Sequence, residues 1–122
     1  MAGTVTTTEQ RHKPVKVITF DWLSSTAGAA DATTTYSHNG LIWKVEFIPD
    51  SGGTIPDDLY DVQVQDAAGT DLLDGGGSDL PQASTEVLGG VLAPVSAVDS
   101  KLTLAVTNAG SLNGGIVKVY IR

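Results

Sequence analysis

Between positions 57 and 79 the chain reads DDLYDVQVQDAAGTDLLDGGGSD, seven aspartates with no lysine, arginine, histidine or glutamate among them. Carboxylates at this density can converge on a divalent cation, divide into the acid and base of a hydrolase, or hold turns and face water. Calcium needs several oxygens within about 2.3–2.6 Å of one centre, and Asp66, Asp71, Asp74 and Asp79 are the candidates for such a site. The spacing departs from the D-x-[DN]-x-[DN]-G calcium loop, and one imperfect copy of a glycine-aspartate repeat cannot stack into a solenoid. Each position also has a local role open to it. Asp61 falls on the outward parity of a strand, and Asp66 precedes AAGT, where an aspartate can bond the turn backbone. Asp71 follows that turn and Asp74 precedes a triple glycine. Turn chemistry without a metal is the expectation, with calcium as the alternative. A glycosidase pair needs one acid of raised pKa in a cleft, and a small sandwich commits most of its inward positions to core.

Other catalytic groups are sparse. There is no cysteine, so disulfides, thiolate metal sites and cysteine nucleophiles are excluded. His12 and His38 have no His or Cys partner at metal-ligand spacing. Neither G-x-S-x-G nor G-x-x-x-x-G-K-[ST] occurs. The glycines at 75–77 lack a lysine and a following helix, and are expected to form a flexible loop. Trp22, Trp43 and Tyr36 could form a platform for a sugar, but Trp43 shares its parity with Leu41, Val45 and Phe47 and is expected in the core. No enzyme, no cofactor and no metal is the expectation.

The elements that must position these residues read as strands. Over 122 residues the chain is rich in Thr, Val and Gly, with few of the Glu and Lys residues that favour helices. From Pro14, PVKVITFDWL places Val15 and Val17 on one face and Ile18, Phe20 and Trp22 on the other, which suggests a bulge or a strand covered on both sides. Asn39-Gly40 is a strong turn signal. GLIWKVEFIPD alternates Leu41, Trp43, Val45 and Phe47 inward, and LYDVQVQD does the same with Tyr60, Val62 and Val64. Asp71–Leu73 reads as a short strand, and residues 82–88 and 91–98 as a helical turn and a strand. KLTLAVTN and GIVKVYIR, with Leu102, Leu104, Val106, Val117, Val119 and Ile121 inward, read as a closing hairpin joined by AGSLNGG. The pattern predicts an all-β antiparallel sandwich or jelly roll of six to eight short strands at 13–122, preceded by an N-terminal arm at 1–12.

The formal net charge of −7 disfavours nucleic acid and anionic membranes as partners. No apolar run is long enough to span a bilayer, and MAGTVTTTEQRHKPVK lacks a hydrophobic signal core, so no classical export is expected.

One run, GLIWKVEFIPDSGGTIPDDLYDVQVQDAAGTDLLDGGG, resembles a recurring type of small virion protein of tailed bacteriophages. The similarity rests on a P-x-D-x-Y-D-V strand, a D-x-x-G-x-D-[LV]-L-x-G turn and the terminal LTLAVTNAG…GIVKVYIR segment. It covers residues 40–122 best. The resemblance implies a decoration or cement protein made in the host cytoplasm and placed on the capsid exterior. Its partner would be the major capsid protein, and its state a homo-oligomer, with a trimer favoured. The alternatives are a tail, neck or fibre-associated virion protein, or a carbohydrate-binding or adhesion module.

Overall fold

The protein, described by a computed structural model over residues 3–12, 14–89 and 95–122 (95–99 by backbone alone), is built from two packed antiparallel sheets. Its strands are β1 (Thr4–His12), β2 (Val15–Leu23), β3 (Ala30–Thr33), β4 (His38–Pro49), β5 (Asp61–Gln65), β6 (Glu86–Gly89), β7 (Val95–Ser100), β8 (Thr103–Thr107) and β9 (Gly114–Ile121). The larger sheet, A, runs β1-β2-β9-β4-β6, with β7 also on β4. Sheet B runs β3-β8-β5. β6 pairs with residues 44–47 of β4 and β7 with 38–42, so the two lie end to end along one edge. The all-β sandwich read from the sequence is the fold, and no α-helix occurs among the described residues.

The core lies between the sheets. Ile18, Phe20 and Trp22 of β2, Val45 and Phe47 of β4, and Val117, Val119 and Ile121 of β9 pack against Val62 and Val64 of β5 and Leu104 and Val106 of β8. β2 has an unbroken register on both neighbours. The change of face read in its sequence is therefore not a bulge: Ile18, Phe20 and Trp22 face the core, and the outer face of the strand also carries apolar residues. Val15 and Val17 are half-buried on its outer face.

Three local expectations are corrected. Residues 4–12 are not an arm: they pair with β2 residue for residue. The backbone supplies that pairing and Val5 packs on the core, although the threonine-rich sequence shows no apolar alternation. Asn39-Gly40 is not a hairpin turn but lies inside β4 at an irregularity in its pairing with β7, where Gly40 takes a φ of 134°. Residues 82–88 hold no helical turn; Glu86–Gly89 is strand. Of the strand expected at 91–98, residues 91–94 lie outside the described residues, and 95–98 are strand as expected, the start of β7.

The closing hairpin is also absent, because β8 belongs to sheet B and β9 to sheet A. The connection crosses between sheets, with Asn108, Gly110 and Leu112 all at positive φ. Buried Ser24 fixes the crossing: its hydroxyl donates to the Gly110 carbonyl at 2.6 Å and accepts from the Asn113 N–H at 3.0 Å.

Both flanks of the sandwich are sealed. On one, the Gly3 N–H donates to the Ala29 carbonyl at 3.0 Å, which ties the start of β1 to the start of β3. On the other, residues 66–80 fold back over the free edge of β5. Val62 N–H donates to Gly77 O at 2.7 Å and Leu72 N–H to Val64 O at 2.8 Å. Without this lid, sheet B would present unpaired strand groups to solvent.

Candidate functional site

The acidic stretch is that lid. Asp66 accepts the N–H groups of Ala68 and Thr70 at 2.9 and 3.0 Å. Asp71 accepts those of Leu73 and Gly75 at 3.1 and 3.0 Å, one from each carboxylate oxygen. Asp61 is not simply in water: it accepts the Asp79 N–H at 2.9 Å and the Asn108 side-chain amide at 2.6 Å. Asp58 accepts the Gln82 N–H at 3.2 Å. Asp74 and Asp79 occupy left-handed backbone, where a short polar side chain is tolerated better than most. Between these turns Leu72, Leu73 and Leu80 enter the core. Asp71–Leu73 forms no strand, only a single bridge from Asp71 to Gln65.

The triple glycine is a seat rather than a slack linker. A Cβ on Gly77 would meet the Val62 carbonyl oxygen at 2.2 Å, and one on Gly76 would meet Leu88 at 2.7 Å. Asp66, Asp71, Asp74 and Asp79 are thus distributed along one lid. Among the described residues no group of three or more His, Asp or Glu could hold a metal ion.

The histidines separate. His12 is exposed at the end of β1, while His38 is buried. Its Nε2 lies 2.8 Å from an oxygen of Glu9, which also accepts the N–H groups of Thr35 and Tyr36 at 2.9 and 3.2 Å. Burial pushes the Glu9 carboxyl up, but these hydrogen bonds outweigh it and hold the group below the ordinary carboxylate value. Glu9 was missed in the sequence because it lay in the presumed arm. Beside it is an open depression of about 200 Å³ lined by Glu9, Gln10, Arg11, Lys16, Tyr36 and His38. Lys16 turns its ammonium to the Asn39 carbonyl at 2.6 Å.

The aromatic residues are rearranged most. Trp22 is core, tilted on Tyr60 at 5.7 Å between ring centres. Trp43 is not core: it remains 42% exposed, and Leu41 44%. The cause is a bulge in β4 against β9, where Ile42 pairs with Ile121 and Lys44 with Tyr120. The extra residue, Trp43, breaks the alternation, so Ile42, Val45 and Phe47 point inward and Trp43 outward.

Trp43 meets Tyr120 edge-on at 5.8 Å, and the Lys44 ammonium sits 4.8 Å from the Tyr120 ring centre. The Tyr120 hydroxyl donates to Glu46. That bond, with burial and the Glu46 charge, pushes the phenol up to about 12. In register beside this row lies Val17, with Lys118 one row on opposite Thr19 and Glu46, and Ile116 a further row on beside Ile48. Leu41 and Arg122 exchange backbone hydrogen bonds at 2.9 Å. The outer face of sheet A therefore mixes apolar side chains with charges along its length, with Lys44 in the Tyr120 row and Asp21 in the Ile116 row.

Comparisons with protein-family models, curated proteins and solved structures return no match to this chain.

Proposed function

We propose that this chain is a structural protein of a tailed-bacteriophage virion, a head decoration protein that binds the outside of the major capsid lattice and stabilises it. The observation that carries the reading is the place of the resembling motif in the fold. The P-x-D-x-Y-D-V strand and the D-x-x-G-x-D-L-L-x-G turn form β5 and its lid, which accept backbone N–H groups and bury Leu72 and Leu73. The resemblance thus rests on parts that make a rigid block. Such a protein acts through its surface, and four of the seven exposed large apolar residues among those described, Leu23, Leu41, Trp43 and Val87, lie on sheet A.

A small block grips a lattice through a modest area, and linked copies at a symmetry axis multiply weak contacts. A homotrimer is the proposed working state. The test is co-sedimentation of purified protein with undecorated phage shells, paired with sedimentation equilibrium of the free protein. Saturable binding and a trimer are expected. A monomer with no affinity for shells overturns the reading. A second reading, carbohydrate contact, is favoured by the half-exposed indole of Trp43 beside Tyr120, which could stack on a sugar. Binding to a glycan array in place of shells would select it.

A further inference from the structure

The charge of the molecule is sorted by side. Residues 57–79 carry seven aspartates and no cation. The outer face of sheet A carries Lys44 and Lys118 and, just past β9, Arg122, against Asp21 and Glu46. Glu46 already holds the Tyr120 hydroxyl and lies 3.8 Å from the Lys44 ammonium. Among the described residues, the charges left to face outward from the Trp43 end are therefore cationic, Lys118 and Arg122, in a protein of net charge −7. Around them lie Leu41, Trp43, Val17 and Tyr120. Trp, Tyr and Arg are the side chains that most often dominate binding energy at protein interfaces.

We infer that the outer face of sheet A, centred on Trp43, is a docking surface for a protein partner with an apolar centre and carboxylates opposite Lys118 and Arg122. The inference rests on the proposed function, in which that partner is the capsid lattice, and it sets the orientation: sheet A toward the shell, the aspartate lid toward solvent. Electrostatics favour this direction. The lid would bring a dense anionic surface against an acidic partner, whereas the Trp43 face presents cations to it. Dimensions agree as well. Five strand positions about 4.8 Å apart and eight residues at about 3.3 Å each give a face of roughly 600 Å² in projection. A standard interface takes about 800 Å² of accessible surface per partner. One face thus makes a contact of modest size, which an oligomer would reinforce.

The test compares Trp43→Ala, the double variant Lys118→Glu/Arg122→Glu and the control Leu59→Ala for binding to undecorated shells at low and high salt. Thermal unfolding verifies that each variant is folded. Trp43→Ala should weaken binding at least about tenfold, and the charge reversal should weaken it most at low salt and reverse its salt dependence, because added salt then screens a repulsion. Leu59→Ala, on the lid side, should bind as the parent does. If the parent binds shells and Trp43→Ala binds equally well, the docking face is wrong while the decoration reading stands. If the charge reversal binds more tightly, the partner is not acidic and the inference falls on that point. If the parent ignores shells but self-associates through Trp43, the occupant is a second copy, and both the inference and the decoration reading fall.

Discussion

The aspartate lid and the outer face of sheet A invite opposite readings and have opposite fates. The lid has the composition of a reactive or metal-binding segment, yet the carboxylates of Asp66 and Asp71, and of Asp61 beside them, are tied to backbone N–H groups. The outer face has the composition of a core strand, yet its largest residue is turned out to solvent. In the lid, polar groups are consumed internally so that three leucines can be buried. On the face, an apolar side chain is left uncommitted. The proposed docking surface is thus picked out by the capacity that folding leaves unused, not by its residue types.

The contrast is broken most easily at the lid's apolar anchor. Leu73→Ala should destabilise the fold by roughly 2–5 kcal/mol, the usual cost for a buried leucine whose site cannot fully collapse. Urea denaturation measures this, and a loss under about 1 kcal/mol would mean that the lid is not part of the core.

The opposite flank should come next. Glu9→Gln leaves the Thr35 and Tyr36 N–H groups and His38 without an anionic acceptor, and is expected to cost about 1–3 kcal/mol at neutral pH. The sign of its pH dependence follows from the lowered carboxyl value in the folded protein. The stabilisation is complete above the unfolded carboxylate pKa of about 4.3 and is lost as pH falls through the lower folded value. Parent and variant stabilities should therefore converge in acid. A constant gap down to pH 2 would contradict this account.

Asp71→Ala removes one acceptor side chain with two N–H partners, and should cost about 1 kcal/mol. Millimolar calcium should leave the melting temperature of the parent unchanged, since a cation bound only to the folded state would raise it. A rise of several degrees that Asp71→Ala abolished would restore the metal reading.

A similarly small stability change is expected at the largest exposed side chain. Trp43→Ala forfeits an edge-on contact with Tyr120 and little burial, so its cost should stay under about 1.5 kcal/mol. A loss on the scale of Leu73→Ala would return Trp43 to the core and remove the distinction between the two regions.

Much of this architecture was legible from alternation. Tyr60, Val62 and Val64, then Leu102, Leu104 and Val106, then Val117, Val119 and Ile121 are all buried as their spacing required. Asp66 and Asp71 also hold turns, as their neighbours implied. Trp43 escaped because a bulge adds one residue without a sequence mark, and every parity before it is reversed. β1 escaped because a strand held by backbone pairing needs little apolar patterning of its own. The crossing from β8 to β9 was hidden for another reason. A short Gly-rich link between two strands reads as a hairpin, and residues far away in sequence, Ser24 among them, fix its path. The Glu9–His38 pair was likewise invisible, because its partners lie 29 positions apart.

Hydroxyl-radical footprinting of the protein, free and bound to undecorated shells, compares the two regions in one experiment. Trp43, Leu41 and Leu59 are 42%, 44% and 56% exposed, so all three should be modified in the free protein. On the shell, Trp43 and Leu41 should lose most of their labelling while Leu59, on the acidic side, keeps its own. Protection of Leu59 with Trp43 labelled as before would contradict the account.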